Sequence, residues 1–475
     1  MTETADTGRI DADLCIIGAG SGGLSVAAGA AQMGAKVVLV ERGKMGGDCL
    51  NYGCVPSKAL LAAGARAQAM RGAAPFGIAP VDPQIDYAAA MTHVREVIAA
   101  IAPHDSVERF EGLGVTVIAA QGSFVSPTEL AAGSTRIRAR HFVIATGSAP
   151  LLPPIAGLED VPYLTNETLF DLRDRPDHLL IIGGGPIGME MAQAHARLGA
   201  KVTLVEAARA LGREDPDAAA LILARLRAEG VEILEQTQVS RVAPSQGGVR
   251  IWAGDREIEG SHLLVAVGRR PNTEGLGLDA AGVKADAKGI FTNDGLRTAN
   301  RRIFAIGDAT RGPQFTHLAG YHAGLVVRAA LFRLPVRARL SHIPRVTYTA
   351  PELAQIGPTE AEARRAHGNR LEVWRVDYAG NDRAQATRQT EGFAKLLTLR
   401  GRVIGATIAG ADAGEVIAPL ALAVANGLKV GALAGMVAPY PTLGEIPKRL
   451  AGQYYVPRLF ESDLVKRIVR TLARL

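Results

Sequence analysis

The chain has 475 residues, 48% of them hydrophobic, which is enough for about three domains with real cores. Its net charge of +6 comes from scattered arginines without a long basic block, which argues against a nucleic-acid partner, and the longest apolar run, Ile417 to Ala425, is interrupted by Pro419 and falls far short of the ~20 residues that cross a bilayer. Three cysteines exclude a secreted disulfide framework and suit a reducing cytoplasm, and the acidic start MTETADTGRIDADL lacks the basic and apolar parts of a signal peptide, so a soluble, cytoplasmic protein is expected.

Residues 13–41, DLCIIGAGSGGLSVAAGAAQMGAKVVLVE, read as strand, glycine turn, helix and second strand. Gly18 permits the tight turn, Gly20 lets the backbone approach a pyrophosphate, and Gly23 lets the helix pack closely on the strand. Glu41 ends the second strand, where its carboxylate can accept bonds from ribose hydroxyls. Cys15, inside the first strand, reads as a core residue.

The run GGDCLNYGCVPSKALLAAGARAQAM then brings Cys49 and Cys54 close together in an otherwise cysteine-poor chain. It predicts a helix with Pro56 near its first turn and Cys54 at its amino end, a place that lowers a thiol's pKa. Two residues five apart on a regular α-helix have Cα atoms roughly 8.6 Å apart, whereas a disulfide needs less than about 7 Å. Cys49 is therefore expected on a bent entry segment, with Gly53 allowing the bend. A half metal site is the competing reading, but no cysteine follows Cys54 and no histidine stands nearby at ligand spacing, so redox chemistry is favoured.

Further on, HFVIATGS (141–148) is a buried strand ending in Thr146-Gly147. Residues 179–206, LLIIGGGPIGMEMAQAHARLGAKVTLVE, repeat the fingerprint with Gly183, Gly185, Gly188 and Glu206. The acid follows the third glycine by 18 positions in both copies, Gly23 to Glu41 and Gly188 to Glu206, so two dinucleotide sites are expected in one chain. LLVAVGRRPN (263–272, with Gly268) is a similar strand end, and RRIFAIGDAT (301–310) delivers Asp308 at a strand's carboxyl end, where open α/β sheets bind ligands. The first nucleotide domain is thus expected to be discontinuous, 1–150 plus 273–340, with a second nucleotide domain at 151–272 and a third domain at 345–475. The last segment, LVKRIVRTLARL, is a basic amphipathic helix with Leu464, Ile468, Val469 and Leu472 on one side, expected as a dimer-packing element rather than a membrane anchor.

Taken together, GGDCLNYGCVPSK, the two nucleotide folds, ATGS, VGRRPN and AIGDA resemble the flavin-dependent pyridine nucleotide-disulfide oxidoreductases over essentially the whole chain. The resemblance implies an α/β fold of two Rossmann-like domains, FAD in the first and a nicotinamide nucleotide in the second, plus a C-terminal α+β dimerisation domain and hence a homodimer. It implies that Cys54 lies against the flavin, that Cys49 attacks substrate, and that Lys58 pairs with Glu190 of GMEMAQ beside the flavin. Glu206 would repel a 2′-phosphate and so favours NADH, while Arg209, three residues on, leaves NADPH open.

In the dihydrolipoamide dehydrogenase and glutathione reductase branches a His-Pro-Thr segment followed by a glutamate supplies an acid–base histidine from the partner chain. Here that stretch is YPTLGE, Tyr440 to Glu445, and no histidine occurs after His367. A tyrosine titrates near ~10 and is a poor base at neutral pH. The mercuric reductase branch has a tyrosine there and another in a segment like VPYLTNETL, where this chain has Tyr163, so the resemblance points to that branch. That branch's carboxyl-terminal cysteine pair and amino-terminal metal-binding domain have no counterpart in this sequence, so mercury reduction is expected to be slow, dependent on small-thiol delivery, or not the physiological reaction. The implied substrate is a small thiol, a disulfide or a thiol-bound metal. A dihydrolipoamide dehydrogenase and a redox-sensing flavoprotein are the alternatives.

Overall fold

The computed structural model describes residues 8–474; most of the acidic start, residues 1–7, lies outside them, as does Leu475. The chain forms two compact units, one of residues 8–63, 82–176 and 262–339, the other of 64–81, 177–261 and 340–474. The first is built on a seven-stranded sheet. Strands Val115–Ala119, Val37–Glu41, Arg9–Ile17 and Thr135–Ile144 lie side by side and parallel. Thr135–Ile144 then shares its other edge between Glu129–Ala132, antiparallel, and Ile303–Ala305, parallel.

Toward their carboxyl ends, at Leu14–Ile17, Val37–Val40 and Phe142–Ile144, the central strands read as unbroken apolar runs because both sheet faces are covered there. Leu14, Ile16 and Leu39 enter one core, while Cys15, Ile17, Val38 and Val40 enter the other, as the two-residue period of a strand requires. Cys15 is fully buried there, as expected, and burial pushes its thiol well above the usual range. The helix Ser21–Gln32 packs into the first core together with Thr316–Leu331. Small residues permit the approach: a Cβ on Gly22 would lie 3.1 Å from Ile306 Cδ1 and 3.2 Å from Ala319 Cβ.

In the second unit, His178–Ile182, Lys201–Val205 and Glu232–Leu234 pair in parallel and carry the second glycine turn, followed by a three-stranded antiparallel meander over 239–260. A five-stranded antiparallel sheet completes the unit in the order Arg345–Thr347, Glu352–Ile356, Arg402–Gly410, Phe393–Leu399, Leu371–Asp377. Residues 151–176 and 262–272 group with the first unit, in which Ser148–Pro150 pairs with Arg269–Pro271 and Leu164 bridges to Leu264. The second nucleotide-type fold shares its unit with the C-terminal sheet.

One buried charge fastens that second unit. Lys395, 5% exposed on Phe393–Leu399, places Nζ 3.1 Å from both oxygens of Asp215, 2.7 Å from Asp217 and 3.1 Å from Glu360. Burial works against the ammonium charge, but bonds to Asp217, Asp215 and Glu360 outweigh it and raise the lysine's pKa. Asp215 also caps the helix Pro216–Ala228, so one cluster holds a helix start to a sheet. Lys395→Met should therefore leave uncompensated buried carboxylate charge and lower stability by about 3–5 kcal/mol, read as a fall in the denaturant midpoint of the second unit.

Candidate active site

The two glycine turns have the same geometry. Gly18 and Gly183 adopt φ of +106° and +116°, the region that side chains avoid. A Cβ on Gly23 would fall 1.8 Å from Gly18 O, and one on Gly188 would fall 2.0 Å from Gly183 O. By contrast, nothing lies within 4 Å of a Cβ on Gly185, and only Gly47 Cα lies at 4.0 Å from one on Gly20. The middle glycines thus leave open space at a helix start, which fits a pyrophosphate.

Both acids brace the turns. Glu41 accepts from Ala19 N at 2.6 Å and Gly43 N at 2.7 Å, and Glu206 accepts from Gly184 N at 2.6 Å and Ala208 N at 2.8 Å. A carboxylate offers about four lone-pair sites, so each retains capacity for ribose hydroxyls. A cleft beside the first turn is lined by Gly18, Glu41, Arg42, Gln121, Thr146 and Asn272. Asn272, which motif reading did not single out, holds its far wall: Thr146 Oγ1 donates to Asn272 O at 2.6 Å, Asn272 Nδ2 returns a bond to Thr146 O, and Asn272 N donates to Gly147 O. Gly268 turns at φ +137° and accepts from Leu151 N at 2.9 Å.

The dithiol lies where the helix is interrupted. A short helix, Gly47–Asn51, carries Cys49; it ends at Tyr52, and a new helix, Cys54–Arg71, begins after Gly53. A side chain at Gly53 would be crowded, since a Cβ there would lie 2.9 Å from Asp48 Oδ2 and 3.3 Å from Cys49 Cα. The bend brings the two sulfurs within hydrogen-bond reach as free thiols. The bond from Cys49 is the largest influence on Cys54 and, with the Thr316 hydroxyl 3.4 Å away and the charge of Lys58, outweighs burial and the charge of Asp48 to lower its pKa to about 6. Cys49, donating to Cys54 and itself desolvated, is pushed far above the usual thiol range. One sulfur is a stabilised thiolate at neutral pH and the other holds the proton.

A polar network missed in the sequence fixes this segment. Asp48, beside Cys49, lies 3.0 Å from Arg269 Nη2 and accepts from Asn166 Nδ2 at 3.0 Å; Asn166 also donates to Tyr52 O. Arg269 donates to Ser148 Oγ at 2.7 Å, and Ser148 donates to Asp308 Oδ2 at 2.7 Å. Burial pushes the Asp308 carboxyl up, while Ser148 and Arg269 pull against it. Arg269 and Asn166 stand inside the quoted VGRRPN and LTNETL segments, but polarity alone gave no sign of their partners.

Lys58 Nζ donates to Ser57 Oγ at 3.3 Å in the first unit, whereas buried Glu190 belongs to the second unit and accepts from Tyr348 N at 2.9 Å. Tyr163 is half-buried, three residues before Asn166. Tyr440, 72% exposed in the second unit, donates its hydroxyl to Asp382 Oδ2 at 2.9 Å, and that bond raises its pKa. Glu445, in the same turn, keeps one buried oxygen, Oε2, without a hydrogen-bond partner among the described residues.

Residues 12–323 match the family model described as pyridine nucleotide-disulphide oxidoreductase, and residues 343–451 match that family's dimerisation domain. The chain belongs to the pyridine nucleotide-disulphide oxidoreductase family. A mercuric reductase from Streptomyces lividans is 38% identical over 470 residues, 96% of this chain and 97% of its own. A dihydrolipoyl dehydrogenase from Bacillus subtilis (strain 168) is 34% identical over 459 residues, 93% of this chain and 96% of its own. Among solved structures, the Cu(II) complex of the HOCl-induced flavoprotein disulfide reductase RclA from Escherichia coli superposes with a TM-score of 0.83 at 28% identity, covering 92% of this chain and 99% of its own. The chain is accordingly an oxidoreductase of the flavoprotein disulfide reductase type, a family that works with FAD and NAD(P)H. Among the described residues no helix is long and apolar enough to cross a membrane.

The electrostatics of the dithiol yield a direct test. Cys49→Ala removes the bond that lowers Cys54 most, so the Cys54 pKa should rise from about 6 toward the ordinary thiol range. Alkylation rate against pH reads this: the wild type should lose reactivity only as pH falls through about 6, the variant already at higher pH. An unchanged profile would refute the hydrogen-bonded pair.

Proposed function

We propose that this protein is a homodimeric, FAD-dependent NAD(P)H oxidoreductase that delivers electrons through the Cys49–Cys54 pair to a thiol-bound soft metal ion, as a mercuric reductase does. The observation that carries the proposal is the thiol–thiolate pair: Cys54 near pKa 6, sharing the proton of Cys49. A thiophilic cation can replace that proton, bind both sulfurs and release one H⁺.

The first fold fits FAD: the space above Gly20 and the start of helix Ser21–Gln32 would take its pyrophosphate, Glu41 a ribose, and Asp308 the polar chain near the flavin. FAD would supply two-electron exchange between a nicotinamide and a disulfide or metal. In the second fold Gly185 would leave room for the nicotinamide nucleotide's pyrophosphate and Glu206 would hold its ribose hydroxyls. Lys58 would steady the Cys54 thiolate and pair with Glu190, and Gly147 and Gly268 would keep the backbone close to the cofactors. Arg269 offsets the charge of Asp48, which would otherwise oppose that thiolate.

Substrate choice rests on Tyr440. Turnover of dihydrolipoamide requires a group that moves a proton, and Tyr440, already donating to Asp382 and with its pKa raised, is even less deprotonated at neutral pH than an ordinary tyrosine and so less available as a base. Metal binding by two sulfurs makes no such demand. Across the dimer Tyr440 would instead meet the substrate, with Glu445 behind it and Tyr163 on the facing chain. Purified holoenzyme should oxidise NADH faster with thiol-complexed Hg(II) than with lipoamide. Tyr440→Phe should impair the metal reaction about 10-fold or more, the scale of one lost transition-state hydrogen bond. Lipoamide turnover at a dehydrogenase's rate together with indifference to Hg(II) would establish the dehydrogenase reading instead. Cu(II) belongs in the same acceptor screen, since the RclA relative was solved as its Cu(II) complex.

The nucleotide preference is testable separately. Glu206 should favour NADH over NADPH in kcat/KM, and Glu206→Ala should narrow the ratio by removing repulsion of the 2′-phosphate. Equal kcat/KM for the two nucleotides in the wild type would show that Arg209 compensates.

A further inference from the structure

The C-terminal helix Asp463–Leu472 lies beyond residue 451, outside the segment that matches the dimerisation domain. Its apolar residues are not packed: Leu464, Ile468, Val469 and Leu472 are 65%, 49%, 57% and 61% exposed, and the preceding turn exposes Phe460 as well. At 100° per residue these side chains, with half-buried Val465 among them, occupy an arc of roughly 140°. Lys466, Arg467 and Arg470 lie on the opposite arc together with a single acid, Asp463, and Thr471, all exposed, and Arg474 follows the helix. Expected as a dimer-packing element, this helix is left uncovered by its own chain.

Charge decides what covers it. Lys466 flanks the apolar stripe on the Val469 side and Arg467 flanks it on the Leu464 side, so both borders are basic. Pairing the stripe with the same helix of a second copy would set basic borders against basic borders. A bilayer surface with anionic headgroups has the opposite property: the stripe enters the acyl boundary while long basic side chains reach outward to the headgroups on both sides. At about 15 Å the helix is too short to span and suits an in-plane position.

We propose that Asp463–Leu472 binds the surface of an anionic lipid bilayer and holds the enzyme there. The test is sedimentation of the full-length holoprotein with vesicles of phosphatidylcholine alone or with phosphatidylglycerol added. About tenfold or more protein should pellet with the anionic vesicles, and the excess should disappear at high salt. Ile468→Asp/Val469→Asp and Lys466→Glu/Arg467→Glu/Arg470→Glu should each abolish it, with NADH oxidation and molar mass by light scattering unchanged. Equal sedimentation with both vesicle types, or none at low salt, overturns the proposal. So does a fall in molar mass on Ile468→Asp/Val469→Asp, which would assign the face to a second copy of the chain.

Discussion

The site depends on one geometric constraint: two cysteines five positions apart cannot meet on a continuous α-helix, so the helix must be broken between them. The break at Tyr52–Gly53 satisfies it, and its consequences extend outward. It gives Cys54 the first position of a long helix, where unpaired backbone N–H groups favour a thiolate. It also folds the Asp48 carboxylate back over Gly53, which leaves little room there for a side chain. The acid so placed would oppose the thiolate, and the ion pair with Arg269 offsets it.

Seen from Arg269, the dithiol segment and the expected FAD site are parts of one hydrogen-bonded assembly. Asp308 at a strand end, Ser148 after the ATG turn, Asn166 in a connecting loop and Asp48 beside Cys49 come from four separate stretches of the chain, and one guanidinium contacts three of them. A planar fork of five donors suits such a junction, where an ammonium would not reach the same acceptors at once. The arrangement couples the position of the redox sulfurs to that of the polar wall of the nucleotide cleft, so displacement of either is resisted by the other.

The second unit uses buried charge differently. Lys395 is surrounded by carboxylates from a helix cap, a helix turn and a second helix, and the cluster fastens the nucleotide-type fold to the five-stranded sheet. On the same unit Tyr440 is exposed at the surface and engaged with Asp382, a setting for a hydrogen-bonding side chain more than for a base. In the proposed reading, the acid–base demand of a dithiol substrate falls on Tyr440, whereas a cation exchanges for the shared proton without one.

Local sequence determined a good deal. The repeated spacing of three glycines and an acid specified two dinucleotide turns, because that backbone shape excludes a Cβ at two of the three glycine positions and needs open space at the third. The cysteine spacing specified a broken helix, because helix geometry is fixed by the chain's covalent dimensions. What sequence could not determine was every relation between distant polar groups. Thr316 lies 262 positions from Cys54, and Ser148 lies 160 from Asp308. Nothing in an isolated threonine or serine says which charge it will face, since hydrogen bonds between side chains carry no periodic signature. The terminal helix shows the same divide: its two-sided pattern was legible in LVKRIVRTLARL, but whether the apolar side is covered is settled only by packing, and among the described residues it is left exposed.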